Sequence, residues 1–400
     1  MPISYDGPPP ASAAWREGDH PGWRQFTDLP SLTLEAGGAL PAVRVAYETF
    51  GTARRDELGR ITNAVLILHA LTADAHVSGP EGPGQITAGW WDDLVGPGLA
   101  VDTNEWFVVC PNVLGGCQGT TGPSSLAPDG KPWGSRWPRI TIRDQVEVEI
   151  RLTEALGIDR WVAVAGGSMG GMRALEWAIM APEKVGASVV LAVGAAATSD
   201  EIGLYAAQIL AVRSDSCYRD GDYYHAQPGN GPHQGLGLAR RMAHLSYRSE
   251  TELELRFGRS PQGSEDPLRG GRYAIESYLD HHAEKLVRRF DAGTYVSLTE
   301  AMNTHDVGRS RGGVAAALGS ITVPVVVGGI DSDRLYPIRL QQEMAALIPT
   351  SEPAHVIGSP YGHDGFLIES AEVGGLLGRA LELGSAESTT QIVLDDNADL

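Results

Sequence analysis

The chain has 400 residues, of which 42% are hydrophobic and 20% charged, an ordinary globular composition with enough apolar surface for a large core. Its formal net charge of −19, with no basic run to offset it, argues against nucleic acid and weakly against an anionic membrane as a partner. The amino terminus lacks the pattern of a signal peptide, no apolar run is long enough to span a membrane, and the three cysteines form no metal motif. We therefore expect a cytoplasmic protein that binds no membrane and no metal.

The first part of the chain contains four candidate strands. Residues 31–35 and 43–50 are rich in β-formers and each has a glycine soon after, so we predict a hairpin. Residues 64–69 and 106–110 are nearly continuous apolar runs, typical of strands that a sheet buries on both faces. A long loop rich in Gly, Pro, Ser and Thr follows at 111–133.

Strands and helices then alternate along the chain. The predicted elements are a helix at 142–156, a strand at 161–165, a helix at 170–181 and a strand at 187–193. This alternation predicts parallel strands with right-handed crossover connections, and hence an α/β fold class.

The alternation stops near residue 199. Residues 199–313 are polar and helix-prone, so we predict a helical insertion between two parts of one core, 1–198 and 314–383. Strands resume at 323–328 and 354–357, and a closing helix is predicted at 369–383. The acidic tail 384–400 is expected to be disordered.

A G-x-S-x-G sequence lies between a predicted strand and a predicted helix. It reads Gly166-Gly167-Ser168-Met169-Gly170, and this setting is that of a nucleophile elbow, in which a sharp turn exposes the serine hydroxyl. The following helix amino terminus offers N–H groups to a developing oxyanion. An ordinary glycine-rich strand-to-helix turn is the alternative.

A serine nucleophile needs a base and an orienting carboxylate, which in α/β-hydrolases follow it in the order Ser, acid, His. The loop after strand 323–328 offers Asp331 and Asp333, and the loop after strand 354–357 offers His363. For a lone histidine, a surface position would be the default. The second oxyanion donor is expected after strand 64–69, where the backbone N–H of Leu71 would join that of Met169.

These motifs resemble one family, the homoserine O-acetyltransferases of methionine biosynthesis. The resemblance runs from about residue 40 to residue 370 and is carried by HALTADAH, NVLGGCQGTTGPSS, GGSMGGMRALEWA, LARRMAHLSYR, RFDAGTYVSLTEAMNTHD, GGIDSDRLYP and YGHDGF. One departure, Thr120-Thr121 where the family commonly has Ser-Thr, is conservative.

The resemblance implies an α/β-hydrolase fold with Ser168 as nucleophile, Asp333 rather than Asp331 as the acid, and His363 as the base. It implies an acetyl group taken from acetyl-CoA onto Ser168 and passed to the hydroxyl of L-homoserine in a ping-pong cycle. It further implies that the insertion is a lid that contributes to a homodimer. No permanently bound cofactor is expected, because acetyl-CoA acts as a substrate.

Three further residues match positions that the family uses to hold the amino acid, namely Arg240, Tyr247 and Asp364. Arg240 and Tyr247 are seven residues apart and share a helix face, so a guanidinium and a phenol together would bind an α-carboxylate. Asp364 would receive the α-ammonium. From the residues alone, simpler interpretations exist for all three. Arg240 would be a solvated helix residue, with Arg241 an equal candidate, Tyr247 would pack in the core, and Asp364 would cap a loop.

A hydrolase with the same triad, an esterase or thioesterase, is the alternative from another class, because only the acceptor differs. Within the family, succinyl-CoA as donor or L-serine as acceptor also remains open. No nucleotide-binding fingerprint locates the CoA contacts.

Overall fold

The computed structural model describes residues 7–396, with side chains up to residue 386. An eight-stranded sheet forms its centre. Its strands are β1 (Gln25–Leu29), β2 (Val43–Phe50), β3 (Ala64–Leu68), β4 (Phe107–Pro111), β5 (Trp161–Gly167), β6 (Val185–Leu191), β7 (Val325–Ile330) and β8 (His355–Ile357).

The strand order across the sheet is β1-β2-β4-β3-β5-β6-β7-β8. The pairings of β1 with β2 and of β2 with β4 are antiparallel, and all others are parallel. Strands β3, β5 and β6 are buried along their whole length, which explains their continuous apolar sequences. The mostly parallel sheet confirms the predicted α/β fold class.

The predicted amino-terminal hairpin is wrong. Strand β2 pairs with Gln25–Leu29, while Leu32–Thr33 forms a separate two-residue pair with Ala39–Leu40. A second such pair joins Val95–Gly96 and Val101–Asp102. The sequence QFTDL of β1 was missed because an edge strand that is mostly solvent-accessible has no continuous apolar signal.

Helices cover both faces of the sheet. They are α1 (Ile142–Ala155), α2 (Met169–Met180), α8 (Val314–Gly319), α9 (Ile338–Leu347), α10 (Gly365–Ile368) and α11 (Ser370–Asp396). One face buries Leu66 and Val164 against α1 and α2, and the other buries Val65 and Ile67 against α11. Helix α1 begins with the capping box of Thr141 and Asp144.

Residues 199–313 contain no strand of the sheet. The helices of this insertion are α3 (Ser199–Arg213), α4 (His233–Tyr247), α5 (Glu250–Phe257), α6 (Ala274–Val287) and α7 (Ala292–Asn303). Helix α4 packs between α3 and α6, and side chains of α4 and α6 line the cavity that contains Ser168. The insertion therefore lies over the carboxyl ends of the parallel strands.

The carboxyl-terminal helix is longer than predicted. Helix α11 continues to Asp396, so the expectation of disorder is wrong for 384–396, and 397–400 lie outside the described residues. Gly384 is not a helix stop. Glycine is needed there because α11 packs closely on β5, where a Cβ would overlap the carbonyl oxygen of Val162. Across the described part of the chain, no helix is long and apolar enough to cross a membrane.

Candidate active site

Ser168 occupies a strained turn between β5 and α2. Its backbone angles are φ 56° and ψ −126°, a conformation that a non-glycine residue adopts at some cost and that is common at functional sites. The turn is tight enough to require glycine around it. A Cβ at Gly170 would overlap the carbonyl oxygen of Leu68, and one at Gly166 would overlap the backbone of Gly170. The structure thus places Ser168 in the geometry of a nucleophile elbow.

His363 and Asp333 are hydrogen-bonded and almost completely buried. The distance from His363 Nδ1 to Asp333 Oδ2 is 2.7 Å, and each residue is 4% exposed. The other carboxylate oxygen, Oδ1, accepts the backbone N–H groups of Leu335 at 2.8 Å and Tyr336 at 2.9 Å. Because both oxygens of Asp333 accept hydrogen bonds, Nδ1 of His363 is the donor to Asp333, and Nε2 is left as the basic nitrogen.

Asp331, the other candidate for the acid, makes hydrogen bonds elsewhere. Its Oδ1 accepts the backbone N–H of Ser359 at 3.0 Å, and its own N–H donates to the carbonyl oxygen of Ile357 at 3.0 Å. These bonds join the loop after β7 to the loop after β8. Asp331 therefore supports the two loops, and Asp333 is the carboxylate that reaches His363.

The pKa of His363 is raised above its ordinary value. Burial acts to lower the pKa, but the neighbouring charge and hydrogen bond of Asp333, with the charges of Asp364 and Glu201, outweigh it. The surrounding carboxylates therefore stabilise the imidazolium that forms when the base takes a proton.

Ser168 and His363 meet in one cavity of about 340 Å³. In this structure the Ser168 hydroxyl and His363 are not hydrogen-bonded to each other, a looseness that active sites without substrate often show. Leu71 lines the same cavity, and Met169 is the first residue of α2, where helix N–H groups have no partner within the helix. Leu71 thus lines the site and Met169 directly follows Ser168, and their role as oxyanion donors stays a prediction.

The turn that carries Leu71 is braced by His69. His69 is buried with its pKa lowered to about 3 by burial and by the nearby charge of Arg173, so its ring is neutral. Nδ1 donates to the carbonyl oxygen of Ala70 at 2.8 Å, and Nε2 accepts the N–H of Val113 at 3.0 Å. Arg173 also donates to the carbonyl oxygen of His69. These bonds fix the backbone immediately before Leu71.

Arg240 and Tyr247 enter the cavity from α4. The guanidinium carbon of Arg240 lies 5.6 Å from the centre of the Tyr247 ring, and Nη1 donates to Thr72 Oγ1 at 3.3 Å. Within the described residues, the buried Nε of Arg240 has no hydrogen-bond partner. Arg241 lies away from the cavity, ion-paired with Asp280 at 2.6 Å. Of these two adjacent arginines, Arg240 is therefore the one available to an anionic group in the cavity.

Asp364 lines the cavity beside His363 and has a partner that sequence reasoning missed. Its Oδ2 lies 3.3 Å from Nε of Arg248, which follows the last residue of α4. Burial raises the pKa of Asp364, and the charges of Arg248, His363 and Arg240 oppose that rise. Arg240, Tyr247 and Asp364 thus all line the cavity, and Arg248 is the cation paired with Asp364; their role in binding the substrate stays a prediction.

Further basic side chains line the cavity from α6 and from the turn that follows it. His282 and Lys285 lie one turn apart on α6, and Arg289 follows the end of that helix. Four cations, Arg240, Arg248, Lys285 and Arg289, stand against two carboxylates in its lining, Asp74 and Asp364. A chain of net charge −19 thus has a locally positive cavity. The spacing of these three residues, by three and then four positions, can be read from the sequence. That they point into the cavity cannot.

The described residues contain no group of three or more His, Cys, Asp or Glu side chains arranged to hold a metal ion. Cys110 and Cys117 are buried free thiols, and burial raises the pKa of the Cys110 thiol well above its ordinary value. Neither cysteine lines the cavity.

Comparison with known proteins gives consistent results. A family model described as alpha/beta hydrolase fold matches residues 63–370. A homoserine O-acetyltransferase of Thermobifida fusca is 58% identical over 94% of this chain and 98% of its own length. Among solved structures, a homoserine O-acetyltransferase from Bacillus anthracis has a TM-score of 0.81 at 27% identity and covers 90% of this chain and 97% of its own. The esterase E22, with a TM-score of 0.79 at 24% identity over 90% of this chain and 99% of its own, shares the fold.

Proposed function

The chain belongs to the homoserine O-acetyltransferase family and is an acyltransferase with the α/β-hydrolase fold, and we propose that it transfers the acetyl group of acetyl-CoA to the hydroxyl of L-homoserine through an acyl intermediate on Ser168. This activity is a step of methionine biosynthesis. One observation carries the proposal: the cavity that contains Ser168 and His363 also contains Arg240, Tyr247 and Asp364.

The first half-reaction acylates the enzyme. His363 Nε2 accepts the hydroxyl proton of Ser168 while Oγ attacks the thioester carbonyl carbon. The oxyanion receives the N–H groups of Leu71 and Met169. The carbon–sulfur bond then breaks, the acetyl group stays on Oγ, and the proton on His363 passes to the leaving thiolate of CoA.

The second half-reaction discharges the enzyme. The homoserine hydroxyl gives its proton to His363 and attacks the acetyl carbonyl carbon, and Ser168 Oγ leaves and recovers the proton. Arg240 and Tyr247 bind the α-carboxylate of homoserine, and Asp364 receives its α-ammonium. Because Arg248 already pairs with one oxygen of Asp364, the carboxylate is oriented before the substrate arrives.

The phosphates of acetyl-CoA are met by Lys285 of α6 and by Arg289, which follows the end of that helix. Lys285 has no carboxylate within ion-pair distance among the described residues, and burial together with the charges of Arg289 and Arg240 lowers its pKa. Positive charges held close together favour an anionic ligand. CoA supplies phosphates at the end of the molecule remote from its thiol, and we assign Lys285 and Arg289 to them.

A hydrolase remains the second candidate, because the fold neighbour esterase E22 shows that this architecture is compatible with a water acceptor. Among the described residues, the buried Nε of Arg240 has no hydrogen-bond partner, and a water acceptor would not supply one. An amino-acid acceptor would, through its α-carboxylate.

A homodimer through the lid is supported by the surface of α3 and α4. Ile202, Leu210, Leu238 and Leu245 are all exposed there. Apolar side chains clustered on two packed helices are typical of an interface between copies. Sedimentation velocity measures the oligomeric state, and a monomer at micromolar concentration would contradict the dimer.

The free thiols Cys110, Cys117 and Cys217 support a reducing, cytoplasmic location. The proposed reaction needs no permanently bound cofactor.

The proposed function is tested by pairing each acceptor, homoserine or serine, with each donor, acetyl-CoA or succinyl-CoA. Release of the CoA thiol and the mass of the product are followed, with Ser168→Ala as the inactive control. We expect O-acetylhomoserine to form fastest. Thiol release that is independent of both amino acids would establish the hydrolase instead.

A further inference from the structure

Helix α3 of the lid has an unusual distribution of polar groups. Its inward face buries Glu201, Tyr205 and Gln208, spaced by four and three residues, while Ile202 and Leu210 are exposed on the outside. Burying polar side chains is costly unless they find partners. The partners of these three residues therefore indicate why the face is polar.

Tyr205 reaches the catalytic pair through Tyr336. The hydroxyl oxygens of Tyr205 and Tyr336 are 3.1 Å apart, and both residues are at most 1% exposed. Tyr336 donates its backbone N–H to Asp333, and the centre of its ring lies 5.2 Å from that of His363. Tyr336 thus touches both the acid and the base, while its hydroxyl is held by the lid.

The His363 ring has little freedom between its neighbours. The rings of Tyr247 and Phe366 lie 5.8 Å and 5.4 Å from it, and Tyr336 contributes a third aromatic contact. The Tyr205–Tyr336 hydroxyl pair holds the far end of the Tyr336 side chain against α3.

Glu201 lies one helical turn before Tyr205 and is completely buried. Its Oε2 accepts the N–H of Thr198 at 3.1 Å, and within the described residues Oε1 has no hydrogen-bond partner. Burial raises the pKa of Glu201 to about 7, against the hydrogen bonds of Thr198 and the charge of His363. The charged groups that act on His363 in this region are Asp333, Asp364 and Glu201.

We propose that Tyr336, held by Tyr205, is a positioning residue that fixes the His363 imidazole for proton transfer. The inference rests on the proposed function, because it assigns roles around the base of that reaction. It connects the first helix of the lid directly to the triad. Any displacement of α3 would be transmitted to His363 through one hydroxyl pair.

The test uses Tyr336→Phe and Tyr205→Phe, alone and together. Each removes one hydroxyl and keeps the ring, so we expect kcat to fall about 10-fold, with the KM for homoserine changed by less than about two-fold. The double variant is expected to lose no more than either single variant, because all three lack the same bond. The Nδ1 proton of His363, followed by NMR, should shift in each.

Tyr295→Phe is the matched control. Tyr295 donates its hydroxyl to Gln208 Oε1 at 2.6 Å, so this variant also removes a buried bond to α3. Among the described residues, neither Tyr295 nor Gln208 is hydrogen-bonded to Asp333 or His363. The variant should lose stability and keep kcat. Equal kcat values in Tyr336→Phe and Tyr295→Phe, with additive losses in the double variant, would overturn the positioning role.

Failure of the proposed function is distinguishable, because then the unaltered enzyme itself would make no O-acetylhomoserine.

Discussion

The strongest consequence of the site is that Arg240 serves one half-reaction only. Arg240→Ala removes the guanidinium proposed to bind the α-carboxylate of homoserine. It leaves the triad and the cations Lys285 and Arg289 in place. The guanidinium is part-buried, lies 3.3 Å from Thr72 Oγ1 and has a second, buried nitrogen free for a ligand. Charge-assisted hydrogen bonds lost with it cost about 2–4 kcal/mol, or roughly 30- to 1,000-fold in kcat/KM for homoserine.

The assay measures the two half-reactions separately in the same variant. Rapid mixing with acetyl-CoA alone gives the rate of acylation from thiol release, and adding homoserine to the acyl-enzyme gives the rate of transfer. Acylation should change by less than about three-fold, since no donor contact to the reacting carbonyl is lost. Arg241→Ala is the control, because Arg241 is the adjacent residue and its charge is paired with Asp280.

Two results would refute this reasoning. Equal losses in acylation and transfer would mean that Arg240 supports the lid or the CoA site. An equal loss in Arg241→Ala would mean that α4 as a whole had been disturbed.

Two further predictions follow from charges at the site. Lys285→Ala should raise the KM for acetyl-CoA about five-fold and leave the KM for acetyl-pantetheine, which lacks the phosphates, unchanged; parallel changes for both donors would contradict the phosphate contact. Asp333 raises the pKa of His363, and this base must be neutral to accept a proton. The value of kcat/KM for acetyl-CoA should therefore fall as the pH decreases, with an apparent pKa above 6.5. An apparent pKa below 6.5 would contradict the charge balance at His363.

The sequence predicted those parts of the fold that have a strong local signal. Strands buried on both faces are continuous apolar runs, so β3, β5 and β6 were found with small errors at their ends. The edge strand β1 was missed, because its pairing with β2 is a property of the sheet and not of QFTDL. Helix α11 was predicted too short, because a glycine that packs against β5 resembles a helix stop.

The same distinction, between residues with a local sequence signal and residues placed by packing, applies to the site. Ser168 was located by its strand–turn–helix setting, and the distance from Asp333 to His363 now resolves a choice of acid that the residues alone left open. Arg248 and Lys285 were not singled out. Arg248 meets Asp364 only because the end of α4 lies against the loop after β8, and Lys285 faces the cavity only because α6 packs on α4.

The account depends most directly on acylation of Ser168. The enzyme is mixed with acetyl-CoA in the absence of any amino acid, digested and analysed by mass spectrometry. The account predicts one acetyl group on the peptide that contains Ser168, discharged to O-acetylhomoserine when homoserine is added and absent in Ser168→Ala. Transfer to homoserine without any acyl-enzyme, together with intersecting rather than parallel double-reciprocal lines, would contradict it.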